Sequence, residues 1–148
     1  MSKGAAMNRR TLEQQRAYAA WEAVTEVKQA VTEVKQKEAK QKDFHVKYRS
    51  LARNLPSMIL SNGLGATLAF IKSKGSAEHQ KIYTHLDQWL TRWIRSWLNN
   101  AVSQGILEWI VAESTSETYR MVTTEALAFT QWLKRFAESE IPDEQSGA

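Results

Sequence analysis

Apolar positions recur along this chain at steps of three and four, and no run of alternating β-branched residues interrupts them. The pattern predicts helices almost throughout. A first helix is expected from Asn8 or Thr11 to about Lys40. The heptad AVTEVKQ occurs in it twice, at 23–29 and 30–36, so Ala17, Ala20, Val24, Val27, Val31 and Val34 form one seam. A seven-residue insertion turns such a seam by only about 20°. It lengthens the helix and keeps its face. Packing within the chain is the favoured use of this seam, and a coiled-coil homodimer is the alternative, since the seam is shorter than the three or four heptads that would establish one.

A second, short helix is expected over 44–54, ending before Pro56, which suits the first turn of a third helix running to Ser73. A fourth, 77–99, has the clearest stripe: Ile82, Leu86, Trp89, Leu90, Trp93, Ile94 and Trp97 face one way, with Thr84, Asp87, Gln88, Thr91, Arg92 and Arg95 outside. Its tryptophans are read as core. A fifth helix covers 106–113, and the last begins in the capping stretch 114–116 and places Tyr119, Val122, Ala126, Phe129, Leu133 and Phe136 on one face to about Glu138. The predicted fold is all-α: a single domain over 1–148, a bundle of about six helices with a long N-terminal helix, its ends 1–8 and 140–148 frayed.

The segment PSMILSNGLGATLAFIKSKG stands apart, because Gly63 and Gly65 each cost a helix about 1 kcal/mol relative to alanine. Leu60, Leu64, Leu68 and Ile71 keep their phase across both glycines, so a continuous helix with a local kink is expected. Asn62, Gly65, Ala66 and Ala69 form a strip of small residues leading to Lys72, where another backbone can approach. Packing within the chain is the favoured explanation, and contact with another molecule the alternative.

Composition narrows the function. A chain of 148 residues with 43% hydrophobic content can bury about 68–70% of its unfolded surface without staples. There is no cysteine, which removes disulfides, thiolate metal sites and thiol nucleophiles. MSKGAAMNRR lacks the apolar core of a signal peptide, and the charge-free window 55–71 is short for a membrane span and holds Pro56, Asn62 and two glycines. A soluble, cytoplasmic protein with no membrane partner is expected. The net charge of +4 is unevenly spread: residues 1–60 hold 12 Lys/Arg against 6 Asp/Glu, whereas 105–148 hold 3 against 8. A basic front suggests a polyanion or an acidic partner, beside the plainer reading of a solvated face.

Catalytic patterns are missing. His79 and His85 are six residues apart, about 240° around a helix, with no acid at ligand spacing, and are expected at the surface; His45 is read as a solvated imidazole. Neither GxSxG nor a phosphate-cradling GxxxxGK[ST] occurs. No enzyme activity, metal, cofactor or small-molecule substrate is expected. The stretch with chemical content is 35–53, with seven Lys/Arg against two acids and with Phe44 and Tyr48 interleaved. Such cations neutralise phosphates, and aromatic rings can stack on single-stranded bases.

KYRSLARNLPSMILSNGLGATLAFIKSKG, followed by EALAFTQWLKRFAES, resembles the small subunit of Cmr-type, type III-B CRISPR effector complexes. The resemblance extends from Gln14 to Glu138 in three ordered blocks: the RA at Arg16, the KYRSLARNLP to NGL block, and Thr124 and Glu125 to WLKRFA. It implies an all-helical, non-catalytic subunit that stacks in several copies with other subunits of the complex and lines the path of single-stranded or guide-paired RNA, in antiviral defence. Carried over to matched positions, phosphate contacts are expected from Arg16, Lys47, Arg49 and Arg53, followed by Lys72 and Lys74. The doubled heptad leaves the placement of Lys37, Lys40 and Lys42 open. A helical homodimeric coiled-coil adaptor without RNA binding is the alternative.

Overall fold

Thr11 opens the first helix with a capping box: its Oγ1 accepts from the Gln14 backbone N–H at 3.1 Å, and the Gln14 side-chain carbonyl accepts from the Thr11 N–H at 3.0 Å. The computed structural model describes residues 10–29 and 38–143. Their helices are α1 (Leu12–Gln29), α2 (Glu38–Asn62), α3 (Leu64–Ser73), α4 (Ala77–Trp93), α5 (Ile106–Glu108) and α6 (Ser116–Glu140). α4 runs on into a π turn at Ile94–Leu98 and α5 into another at Trp109–Glu113. A second capping box, Thr115 with Thr118, starts α6. The fold is an all-α bundle with no strand among the described residues, and no helix there is long and apolar enough to cross a membrane.

Helix α6 packs along both α1 and α2, and α4 lies against α2 and α3. Ala20, Val24 and Val27 of α1 are buried, so the described part of the valine seam is used inside the chain. Val31 and Val34, and the expected helix across 30–37, lie outside the described residues. Leu55 and Ile59 of α2, Leu68 and Ile71 of α3, Leu86 and Leu90 of α4 and Leu133 of α6 join them in one core. Each such side chain contributes about 1.5–3 kcal/mol when fully buried. Trp89 and Phe129 stack at 5.9 Å between α4 and α6.

Two expectations are corrected around the glycines. The chain does not restart at Pro56: α2 passes through it, and the interruption falls at Gly63, with φ 88° and ψ 158°. Proline's fixed φ is compatible with a helix, and the cost is one lost hydrogen bond to the Ala52 carbonyl. Nor is the leucine stripe continuous, because Leu60 is 72% exposed while Ile59 is buried. The core positions step from Ile59 to Leu64, five residues, which a continuous helix would carry about 140° off its face. Gly63 absorbs that mismatch with a conformation that a side chain would strain.

Trp97 is also misread by the stripe. It is 54% exposed, whereas Trp89 and Trp93 are buried, because it stands in the last turn of the helix, just before Asn99, with φ 54°, ends it.

Candidate nucleic-acid interface

Tyr48 divides the basic stretch of α2. It is fully buried, so it presents no ring to a base, and Phe44 packs against the core. Lys47 and Arg49 stand on either side of it, about 200° apart around the helix. Arg53 follows Arg49 on the same flank, where Arg49 reaches the Glu138 carbonyl in the last turn of α6 at 3.5 Å. Lys47 is exposed and pairs with Asp43 at 3.1 Å. At the end of α3, Lys72 lies over the Tyr83 ring at 5.6 Å and Lys74 over Phe70 at 4.8 Å. The structure thus groups Arg49 with Arg53 and Lys72 with Lys74, and sets Lys47 on the opposite flank of α2 from the arginines.

Arg16 is held elsewhere. Its Nε and Nη2 donate to the two carboxylate oxygens of Glu125 at 2.6 and 2.7 Å, and the Trp89 indole N–H donates to Glu125 Oε2 at 2.9 Å. Glu125 is buried. These bonds raise the Arg16 pKa above its ordinary value, the Glu125 hydrogen bond first, against the opposing effect of burial. A carboxylate within the apolar face of Val122, Ala126 and Phe129 was the sequence signal for such a partner.

A second polar network went unseen in the sequence. His85 is buried and not at the surface: its Nδ1 lies 2.7 Å from the Tyr48 hydroxyl and its Nε2 3.2 Å from Glu26 Oε2. A neutral ring protonated at Nε2 satisfies both, accepting from Tyr48 and donating to Glu26. Lys81 donates to Glu26 Oε1 at 2.7 Å. Burial lowers the His85 pKa, with Glu26 acting the other way, and Glu26 is lowered chiefly by the hydrogen bond from Lys81. The network ties α1, α2 and α4 together. His45 is half-buried and its pKa is also lowered by burial, so it is not a freely solvated ring. His79 stands beside Glu78, its Nδ1 3.5 Å from the carboxylate.

An open groove of about 610 Å³ runs between α1 and α4, lined by Tyr18, Trp21, Glu22, Glu26, His85 and Trp89 among others. Among the described residues no group of three or more His, Asp or Glu is arranged to hold a metal.

Residues 12–140 match the family model described as CRISPR-associated protein (Cas_Cmr5). The chain is 31% identical over 107 residues to the CRISPR system Cmr subunit Cmr5 of Thermus thermophilus, covering 72% of this chain and 86% of that one. It is 29% identical over 111 residues to the Cmr subunit Cmr5 of Thermotoga maritima, covering 74% and 78%. A crystal structure of a CRISPR-associated Cmr5 family protein, also from Thermus thermophilus, superposes with a TM-score of 0.65 at 28% identity, covering 90% of this chain and 99% of that one.

Proposed function

The chain belongs to the Cas_Cmr5 family of CRISPR-associated proteins, and from that membership we propose that it is a non-catalytic small subunit of a type III-B CRISPR RNA-guided effector complex, acting in the cytoplasm. In this reading several copies stack beside other subunits, and their basic faces contact the backbone of target or guide-paired RNA. The observation that carries it is the family match over almost the whole bundle, 12–140, joined to a chain whose cations concentrate in its front.

Arg49 and Arg53 on one flank of α2, Lys47 on the other, and Lys72 and Lys74 at the end of α3 are the phosphate contacts. Lysine and arginine suit this role because neutralised phosphates release counterions. The contact is sequence-independent and weakened by salt. Arg16 serves the reading indirectly, by fixing α1 to α6 through Glu125.

The test is the paired variant Arg49→Glu/Arg53→Glu in binding to unrelated single-stranded RNAs across a salt series. A similar loss for every sequence, with a shallower salt dependence, is expected. Unchanged affinity, or a loss confined to one sequence, rules the assignment out. The adaptor alternative predicts instead a homodimer that persists at low micromolar concentration and no RNA dependence, but Val24 and Val27 are already buried within the chain.

A further inference from the structure

Trp97 is the member of the α4 stripe that the fold turns outward. Ile82, Leu86, Trp89, Leu90, Trp93 and Ile94 are buried, and the next indole, within the π turn at Ile94–Leu98, is 54% exposed. Single-turn π elements inside helices occur frequently at functional positions. Asn99, with φ 54°, ends the helix just beyond it.

Beside this turn lies a cleft of about 550 Å³, lined by Gln88, Thr91, Arg92, Arg95, Ser96 and Ser103 among others. Its cations are braced. The Arg92 guanidinium sits over the Trp89 ring at 5.0 Å, and Arg95 Nη2 donates to the Val102 carbonyl at 2.7 Å. The acid that also lines the cleft, Asp87, is engaged by the Ile106 N–H at 2.8 Å and the Thr91 hydroxyl at 3.2 Å. From Gln88 to Leu107 the sequence holds no Asp or Glu, but it holds Arg92, Arg95, two adjacent asparagines and three tryptophans. The neighbouring α1–α4 groove shares Gln88 and Arg92 with this cleft, yet is walled by Glu22 and Glu26. The cleft thus sets two arginines against one engaged carboxylate, whereas the groove sets one arginine against two carboxylates, of which Glu26 is paired with Lys81.

We propose that the π-turn rim of α4 is a second contact for single-stranded RNA, where Trp97 stacks on a base and Arg92 and Arg95 face the phosphates. It rests on the reading that this protein binds RNA, and it adds a stacking site on an element which that reading does not use. Base stacking on an aromatic ring is sequence-tolerant and separable from phosphate contact, because removing the bases abolishes only the former.

The test measures anisotropy of a labelled oligouridylate and of an abasic oligomer of equal length, titrated with the full chain. Trp97→Ala is expected to weaken oligouridylate binding by about five-fold or more and to leave the abasic oligomer unaffected, and Trp97→Phe to recover most of the loss. Arg92→Gln, which leaves the indole in place, should weaken both oligomers alike. Equal affinity of Trp97→Ala and wild type for oligouridylate overturns the inference, as does an equal loss on both oligomers. Loss of assembly with partner subunits at unchanged RNA affinity overturns it too, and assigns the indole to a protein contact. If Arg49→Glu/Arg53→Glu loses RNA while Trp97→Ala does not, this site alone fails. A wild-type chain that binds neither oligomer removes both readings.

Discussion

Arg16 and Glu125 lie 109 residues apart in sequence and meet in two parallel hydrogen bonds of 2.6 and 2.7 Å, closing the first helix onto the last. Fork-on-carboxylate geometry makes such a pair directional as well as charged. The Trp89 indole adds a third bond from α4, so one buried carboxylate sets the mutual register of three helices. Two of the three blocks that carry the sequence resemblance, the RA at Arg16 and the Thr124 and Glu125 block, are thereby the two halves of one contact.

Removing one partner strands the other. Arg16→Ala should destabilise the protein by about 3 kcal/mol, read from urea unfolding midpoints. The double variant Arg16→Met/Glu125→Leu should recover part of that loss, since no buried charge then remains unpaired. A double variant less stable than Arg16→Ala would contradict the account.

Stability should fall in mild acid. Burial depresses the pKa of His85 and of His45 below the ordinary 6.5, so the unfolded chain takes up protons first as pH drops. Their contribution is complete above that value and is lost as pH falls below it. Glu26, lowered from 4.5 chiefly by the Lys81 hydrogen bond, adds a second loss further into the acid range. Melting temperature should therefore be flat above about pH 7 and decline below about 6.5. His85→Gln should show a shallower decline over that first window, and a slope equal to wild type would place the titration elsewhere.

Much of the bundle was legible because apolar spacing reports burial directly. Val122, Ala126, Phe129 and Leu133 sit where the period of α6 puts them. The misreadings fall where a helix breaks or ends. Leu60 fits a 3.6 pattern on paper, but Gly63 resets the angle beyond it, and Trp97 stands in the last helical turn before Asn99, past the core that covers Trp89 and Trp93. The cations of α2 were legible as a run, whereas the burial of Tyr48 depended on α4 supplying His85, a partner 37 residues away that no local pattern announces.

Purified protein should leave single-stranded RNA and duplex DNA intact with or without divalent cations. This outcome follows from the proposed non-catalytic role, and the buried Tyr48 hydroxyl is pushed toward higher pKa by desolvation, away from nucleophilic use. Cleavage that co-purifies with the chain and vanishes on Tyr48→Phe or His85→Gln would refute this.

The close approach expected at Asn-Gly-Leu-Gly is made by Tyr119 of the same chain. Its hydroxyl accepts from the Gly65 N–H at 3.0 Å, and a Cβ on Gly65 would stand 3.4 Å from that oxygen and 3.6 Å from Ile110 Cγ2. The contact satisfies an N–H in the first turn of α3, which has no intrahelical partner of its own. Gly65→Val should therefore cost about 1–3 kcal/mol through overpacking, and Tyr119→Phe about 1 kcal/mol through the lost hydrogen bond. Gly63→Ala acts differently: its nearest neighbour is Tyr119 Oη at 3.5 Å, ordinary contact, but φ stays at +88°, and that conformation costs a side chain about 1–2 kcal/mol. Because the branched side chain of Gly65→Val would crowd Tyr119, Gly65→Val and Tyr119→Phe should be non-additive in a double-mutant cycle, whereas Gly63→Ala should add nearly independently to Ile82→Val on α4. Gly65→Val that melts like wild type yet fails to join an assembled complex would move the contact from the interior to a neighbouring subunit.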